Sequence, residues 1–183
     1  MGAELQIAIL GVVGTLSGTI LGWLLNSLTQ KGKIRVFVKK WEETYRKPDE
    51  MGGFEECERE NAEYYRYILS LDIYNSSRET RIMRDIHVLF MDKSKKLFLS
   101  VPKDDATRRS SHPLVRYDEI SVVNLQAKSV VAIDLHEGLI TSDKEWRFLS
   151  CADRVMLMYT DEKNRRKKVL VCKDRLESFC SSK

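Results

Sequence analysis

Three histidines, four cysteines and a handful of neighbouring carboxylates and hydroxyls are the groups through which this chain could do chemistry. Asp85 and His87 stand two residues apart. On a β-strand that spacing puts both side chains on one face and offers a carboxylate–imidazole pair for proton transfer. Ser110, Ser111 and His112 are consecutive, placing hydroxyls beside a base. Neighbours in a loop rarely orient for attack, however, and no G-x-S-x-G elbow surrounds them. Asp104 and Asp105 have no patterned partner and read as solvated, and Cys151, ahead of Ala152 and Asp153, lacks the setting of a catalytic thiol. His87, His112 and His136 are scattered, with no C-x-x-C, H-x-x-x-H or calcium-loop pattern. After residue 30 the glycines are Gly32, Gly52, Gly53 and Gly138, and none forms a phosphate-binding loop. No catalytic residue, metal ligand or cofactor is therefore assigned. A small hydrolase using Asp85 and His87, or Ser111 and His112, is the enzymatic alternative.

Charge is the next resource. The 31 Lys and Arg exceed the 27 Asp and Glu by four, but the split is uneven. Residues 1–30 carry a single charged side chain, Glu4, so residues 31–183 hold 31 basic and 26 acidic groups. Basic clusters occur at Arg165-Arg166-Lys167-Lys168, at Lys93, Lys95 and Lys96, and at Arg108 and Arg109. With so many acids alongside, and with hairpin tips normally charged to blunt sheet edges, nucleic acid is not the expected partner.

The uncharged run from Leu5 to Gln30 is the strongest single signal. About 20 helical residues cross a hydrocarbon core of about 30 Å, so this stretch predicts a transmembrane helix. A cleaved signal peptide would have a basic start, a shorter apolar region and a small-residue cleavage site, none of which is present. Residues 1–30 are therefore expected to be an uncleaved anchor, and residues 31–183 a separate domain. Lys31, Lys33, Arg35, Lys39 and Lys40 flank the C-terminal side, and no basic residue flanks the other. The positive-inside rule then places the N-terminus outside and the domain in the cytoplasm of a single-pass protein at the cell membrane. Cys57, Cys151, Cys172 and Cys180 show no disulfide-scaffold spacing, in keeping with a reducing compartment. The five basic residues are candidates for contact with anionic headgroups, at about 1 kcal/mol each near the surface. Within the span, Gly14, Gly18 and Gly22 recur every fourth residue, with Gly11 alongside. Such a face of small residues lets a second helix approach, so pairing into a homo-oligomer is expected there.

Beyond Lys31 the periodicity becomes two. Ile34 to Lys39 alternates, and Tyr65, Tyr67, Leu69, Leu71 and Ile73 share one face of a longer strand ending at Asn75. Ile82, Ile86, Val88 and Phe90 mark the next, followed by 97–99, 121–123, 130–135, 155–159 and 169–172. Eight short strands separated by polar turns predict a mainly β domain, an antiparallel immunoglobulin-like β-sandwich. The acidic stretch 46–63 and the stretch 101–119 read as long loops, the expected ligand-binding regions. Asp161 to Arg166 reads as a hairpin turn.

Tyr74-Asn75-Ser76-Ser77 with Ile82, Asp85 and Ile86, then Leu125-Gln126-Ala127-Lys128, then Tyr159-Thr160-Asp161 with Lys168, form a recurring set of turns and strand starts. On these the chain resembles small bacterial membrane-anchored immunoglobulin-like β-sandwich proteins. It departs from them after Asp161, where Glu162-Lys163-Asn164 replaces the commoner glycine. The resemblance implies a fold and an anchor, and it carries no activity. The expected function is accordingly a non-enzymatic binding or scaffolding module with an unidentified protein partner and membrane lipid as its surroundings. The alternative is a membrane effector whose spans oligomerise on a signal sensed by the sandwich.

Overall fold

The computed structural model describes residues 2–30, 32–111, 114–140 and 151–175. It begins with α1 (Ala3–Gln30), about 42 Å long at 1.5 Å per residue. Within it, Gln6–Ser27 is long and apolar enough to cross a membrane, and no part of that stretch is buried against the remainder of the protein. Thr15 and Thr19 return their hydroxyls to the carbonyls of Gly11 and Thr15, each at 2.8 Å, so these polar groups are satisfied inside the helix.

Among the described residues twelve strands follow: β1 (Ile34–Pro48), β2 (Phe54–Glu56), β3 (Tyr64–Asn75), β4 (Arg81–Asp92), β5 (Lys95–Ser100), β6 (Lys103–Asp104), β7 (Arg109–Ser111), β8 (Leu114–Arg116), β9 (Val122–Leu125), β10 (Val130–Ile140), β11 (Arg154–Thr160) and β12 (Arg166–Cys172). One sheet has the order β2-β1-β3-β10-β6, and the other β12-β11-β4-β5, with β9 pairing the first residues of β4. All the pairings are antiparallel, and β7 and β8 form a separate hairpin.

Strict alternation makes β3 the centre of the first sheet: Tyr65, Tyr67, Leu69, Leu71 and Ile73 are buried, and the residues between them are only partly so. They pack on Met83, Ile86, Val88 and Phe90 of β4 and on Val155 and Leu157 of β11. Trp41 stacks on Tyr67 with ring centroids 5.2 Å apart, and Phe90 meets Tyr65 edge-on at 6.2 Å. Contacts of this kind add about 0.5–1.5 kcal/mol each beyond the area they bury.

Two stretches expected to be loops hold strand structure. β1 continues to Pro48, β2 folds back on Arg46–Pro48, and a single 3-10 turn follows at Arg59–Asn61. The register slips between Val38 and Lys40, so the inward positions change from 34, 36 and 38 to 41, 43 and 45. Such a bulge hides the strand from any search for unbroken alternation. In 101–119, β6 pairs with Leu135 and His136 of β10, a 3-10 turn follows at Asp105–Thr107, and β7 pairs with β8.

The core contains phenols as well as hydrocarbon. Tyr45, Tyr65 and Tyr67 are almost fully buried, and each pKa is pushed above the ordinary value, first by burial. For Tyr45 and Tyr65 the negative charge of Glu43 pushes in the same direction. The folded chain therefore holds three protons that the unfolded chain releases above its tyrosine pKa of about 10. The stability they confer is complete below that pH and is lost as pH rises towards the folded pKa values. Urea unfolding of the detergent-solubilised chain is expected to show a loss of about 2.5 kcal/mol between pH 8 and pH 10.5 from these three groups. Tyr67→Phe should remove about a third of that slope. An unchanged slope in Tyr67→Phe would contradict this assignment.

Candidate functional site

The most elaborate polar construction lies where α1 meets the sandwich, and it is built on Asn75, the last residue of β3. Asn75 is fully buried. Its amide Nδ2 donates to the carbonyls of Glu79 at 2.7 Å and of Leu125 and Gln126 at 3.0 Å. Its Oδ1 accepts from the Ser77 amide at 3.0 Å and the Ser77 hydroxyl at 2.6 Å. One side chain thus ties the β3–β4 turn to the β9–β10 turn, and it saturates both ends of its amide.

Ser76 extends the same turn outward. Its hydroxyl accepts from the Lys33 amide and donates to the Lys33 carbonyl, both at 2.8 Å, and its own amide donates to that carbonyl at 3.1 Å. Lys128, in the β9–β10 turn with a left-handed φ of 55°, donates Nζ to the Ser76 carbonyl at 2.6 Å. Gly32 lies so close that a Cβ would overlap the Ser76 and Ser77 backbone. Only glycine lets the chain leaving α1 pass at this depth.

The β11–β12 turn reaches the same end. Asp161 Oδ1 accepts from the Lys163 and Arg165 amides at 3.0 and 2.9 Å, while its Oδ2 accepts from the Arg165 guanidinium at 3.0 Å. Burial opposes the Asp161 charge, but these donors more than offset it and hold the carboxyl below its usual range. Glu162 pairs with Arg81, and Asn164, at φ 61°, accepts from Arg84 at 3.3 Å. A cleft of about 830 Å³ opens here between Ser27 of α1, Gly32, Lys33, Arg81 and the hairpin residues Lys163, Arg165 and Lys167.

The other groups singled out from sequence are dispersed. Asp85 takes a left-handed φ of 51° in a β4 bulge, and His87 Nδ1 sits 2.6 Å from its backbone carbonyl, so the carboxylate and imidazole do not pair. His112 and Lys31 lie outside the described residues. Asp104 caps the 3-10 turn after it, accepting from the Ala106 amide at 2.9 Å. Cys151 is exposed. Lys39 is bound to Asp72 at 3.1 Å and Lys40 to Glu42 at 2.8 Å, whereas Arg35 is exposed on β1. At Gly11, Gly14, Gly18 and Gly22 nothing lies within 4 Å of a Cβ position. Among the described residues no three His, Cys, Asp or Glu converge as metal ligands.

Two pairings had no sequence signal. His136, buried on β10, contacts Asp105 at 2.5 Å and meets the Tyr117 ring edge-on at 4.4 Å. Arg175 and Glu43, far apart in the chain, form a buried ion pair at 2.5 Å. Glu43 also accepts from the hydroxyls of Tyr65 at 2.8 Å and Tyr45 at 3.0 Å, and Arg175 donates to the Tyr45 oxygen at 2.6 Å. Burial works against the Arg175 charge, yet Glu43 beside it raises the pKa beyond its ordinary value.

Two face-to-face antiparallel sheets, bound at one end by interlocked turns, define an immunoglobulin-like β-sandwich following an N-terminal apolar helix. The chain belongs to the YopI Ig-like domain family, whose model matches residues 32–172. Among solved structures it is similar to a protein assigned as ApaA from Bordetella pertussis, at 9% identity over 79% of this chain and 92% of that one, with a TM-score of 0.35. It is also similar to an uncharacterized β-sandwich protein from Clostridium difficile 630, at 14% identity over 78% and 91%, with a TM-score of 0.31. A search of curated proteins finds no match.

Proposed function

We propose that the chain is a single-pass membrane protein that holds its immunoglobulin-like sandwich in the cytoplasm as a non-enzymatic binding or scaffolding module. The observation that carries this reading is the helix surface. Ile7, Leu10 and Trp23 are each about 70% exposed, and the rest of the Gln6–Ser27 stretch is uncovered too. A core helix of a soluble domain would bury such side chains against its own fold. Here lipid is the solvent that fits, and a helix with its backbone hydrogen-bonded internally is the form in which a chain crosses it. The basic residues after the helix set the orientation. We further assign the face of Gly11, Gly14, Gly18 and Gly22 to pairing with a second copy, through the close approach that small residues permit.

The test uses native membranes. The chain is expected to stay in the pellet after alkaline carbonate extraction, and a membrane-impermeant maleimide should label the exposed Cys151 only once cells are permeabilised. Gly18→Leu should lower self-association in the same membranes by several-fold, because the larger side chain holds the two backbones apart. Release by carbonate would end the membrane reading, and labelling of Cys151 in intact cells would reverse the orientation. Unchanged association of the leucine variant would remove the glycine face from it.

A further inference from the structure

We propose that the turns at the helix end of the sandwich form a cationic collar that binds anionic phospholipid headgroups and seats the domain against the leaflet. This rests on the reading of α1 as a membrane span. The argument begins with the length of the tether. Ser76 grips Lys33 through three hydrogen bonds, and Lys33 follows the last residue of α1 by only three positions. Three extended residues reach about 10 Å. Whatever the angle of the helix, Lys33, to which the β3–β4 turn is hydrogen-bonded, therefore stays within about 10 Å of the place where α1 ends. That is close to the Debye length of about 8 Å in physiological salt, the range over which an anionic leaflet attracts basic groups.

The residues brought to that place are basic. Arg78 is exposed in the β3–β4 turn, Lys128 in the β9–β10 turn, and Lys163, Arg166 and Lys167 in and after the β11–β12 turn. Three carboxylates share this end. Asp161 is consumed by Arg165 and by backbone amides, and Glu162 by Arg81, which leaves exposed Glu79. Lys33, Arg78, Lys163, Arg166 and Lys167 have no carboxylate within ion-pair distance among the described residues. Farther along β1 the pattern is the opposite, with Lys39, Lys40 and Lys47 each matched to an acid. The cleft beside Ser27 and Lys33 is walled by Lys163, Arg165 and Lys167 together with Glu79 and the paired Asp161 and Glu162, and has room for a headgroup phosphate on its basic side. The basic run at 165–168 thus gains a location that its composition did not reveal.

The test uses the full chain in lipid nanodiscs, with hydrogen–deuterium exchange read by mass spectrometry on the segments 76–81, 126–129 and 160–167. Discs of phosphatidylcholine are compared with discs containing about a third phosphatidylglycerol. Exchange in the three segments is expected to slow about fivefold in the anionic discs, the effect of even one basic residue near such a surface. The protection should vanish in about 1 M salt, where the Debye length falls to about 3 Å. It should also vanish in the variant Lys163→Glu/Arg166→Glu/Lys167→Glu, while exchange in 65–73 of the core stays the same and reports an intact fold. If the core segment does change, the milder Lys163→Gln/Lys167→Gln variant takes its place, with reduced protection expected and full protection contradicting the proposal. A chain that enters both kinds of disc and exchanges alike in them overturns the collar alone. A chain that enters neither overturns the span reading, and the collar with it. Inorganic phosphate added to the neutral discs should give no protection; if it does, the cleft binds a free anion and the lipid assignment is wrong.

Discussion

Asn75→Ala is expected to lower the unfolding free energy by about 4 kcal/mol, although the substitution deletes only a short side chain. The removed amide is the partner of five groups: three carbonyls on its donor side, and the amide and hydroxyl of Ser77 on its acceptor side. Leaving a buried polar group without a partner costs about 1–3 kcal/mol, and water entering the gap recovers part of the total. Asn75→Asp separates the two sides of the amide. An aspartate keeps the acceptor for Ser77 but turns a second oxygen towards the carbonyls of Glu79, Leu125 and Gln126. Its folded pKa is then raised by burial and by those oxygens, above about 3.9 in the unfolded chain. A group shifted that way confers its stability below the unfolded value and loses it as pH rises through the folded one. Relative to the parent chain, Asn75→Asp should therefore be weakest at neutral pH and recover as pH falls towards 4. Urea unfolding at several pH values measures both effects. A loss below about 1 kcal/mol in Asn75→Ala, or an Asn75→Asp variant that weakens further in acid, would mean that Asn75 does not bear the two turns.

The sequence made this residue visible as a turn and concealed its role. Asn75-Ser76-Ser77 has turn composition, but the carbonyls it holds come from residues 125 and 126, some fifty positions on. Strand β3 was legible because nothing interrupts its alternation, and every inward position from Tyr65 to Ile73 is buried. β1 was legible only as far as its bulge. At Lys39 the parity changes, and the next inward residues are Trp41, Glu43 and Tyr45, so no single period runs on to Pro48 and the strand's far end read as part of the acidic loop 46–63. β4 hides a bulge of its own at Asp85, which moves Met83 into the core in place of Ile82 and separates Asp85 from His87. The strands β6, β7 and β8 are two or three residues long, too short for any period to show. The turn residues 165–168 were recognisable as basic, but their nearness to α1 depends on the order in which the strands pair.

Glu43 shows most clearly what a local reading cannot reach, because its partner Arg175 lies 132 positions away. Removing either charge alone is expected to cost about 3–5 kcal/mol, since the other is then left buried without its counter-ion. For a chain of this size that lowers the melting temperature by about 10 °C. Arg175→Met replaces the guanidinium with an apolar side chain that can fill part of its volume over the Tyr65 and Phe90 rings. It leaves Glu43 held by two tyrosine hydroxyls, which donate to a carboxylate but do not neutralise it. Glu43→Met strands the guanidinium instead, and deprives both hydroxyls of their acceptor. In Glu43→Met/Arg175→Met no charge remains, so the double variant should be no less stable than the weaker single one, with a coupling of about 2–3 kcal/mol. It should not return to the parent value, because the buried hydroxyls of Tyr45 and Tyr65 lose the carboxylate that accepted from them. Arg175 has one role beyond the pair. Its guanidinium donates to the Ala152 carbonyl at 3.4 Å, a side-chain tie from the chain after β12 to the segment leading into β11. This adds to the 2.9 Å bond of its backbone amide to the Asp153 carbonyl, which Arg175→Met keeps. Exchange at Arg154–Thr160 should consequently rise further in Arg175→Met than in Glu43→Met, even if the two unfold at the same temperature. Additive losses in the double-mutant cycle would show that the charges act independently, and equal exchange in the two single variants would confine Arg175 to the ion pair.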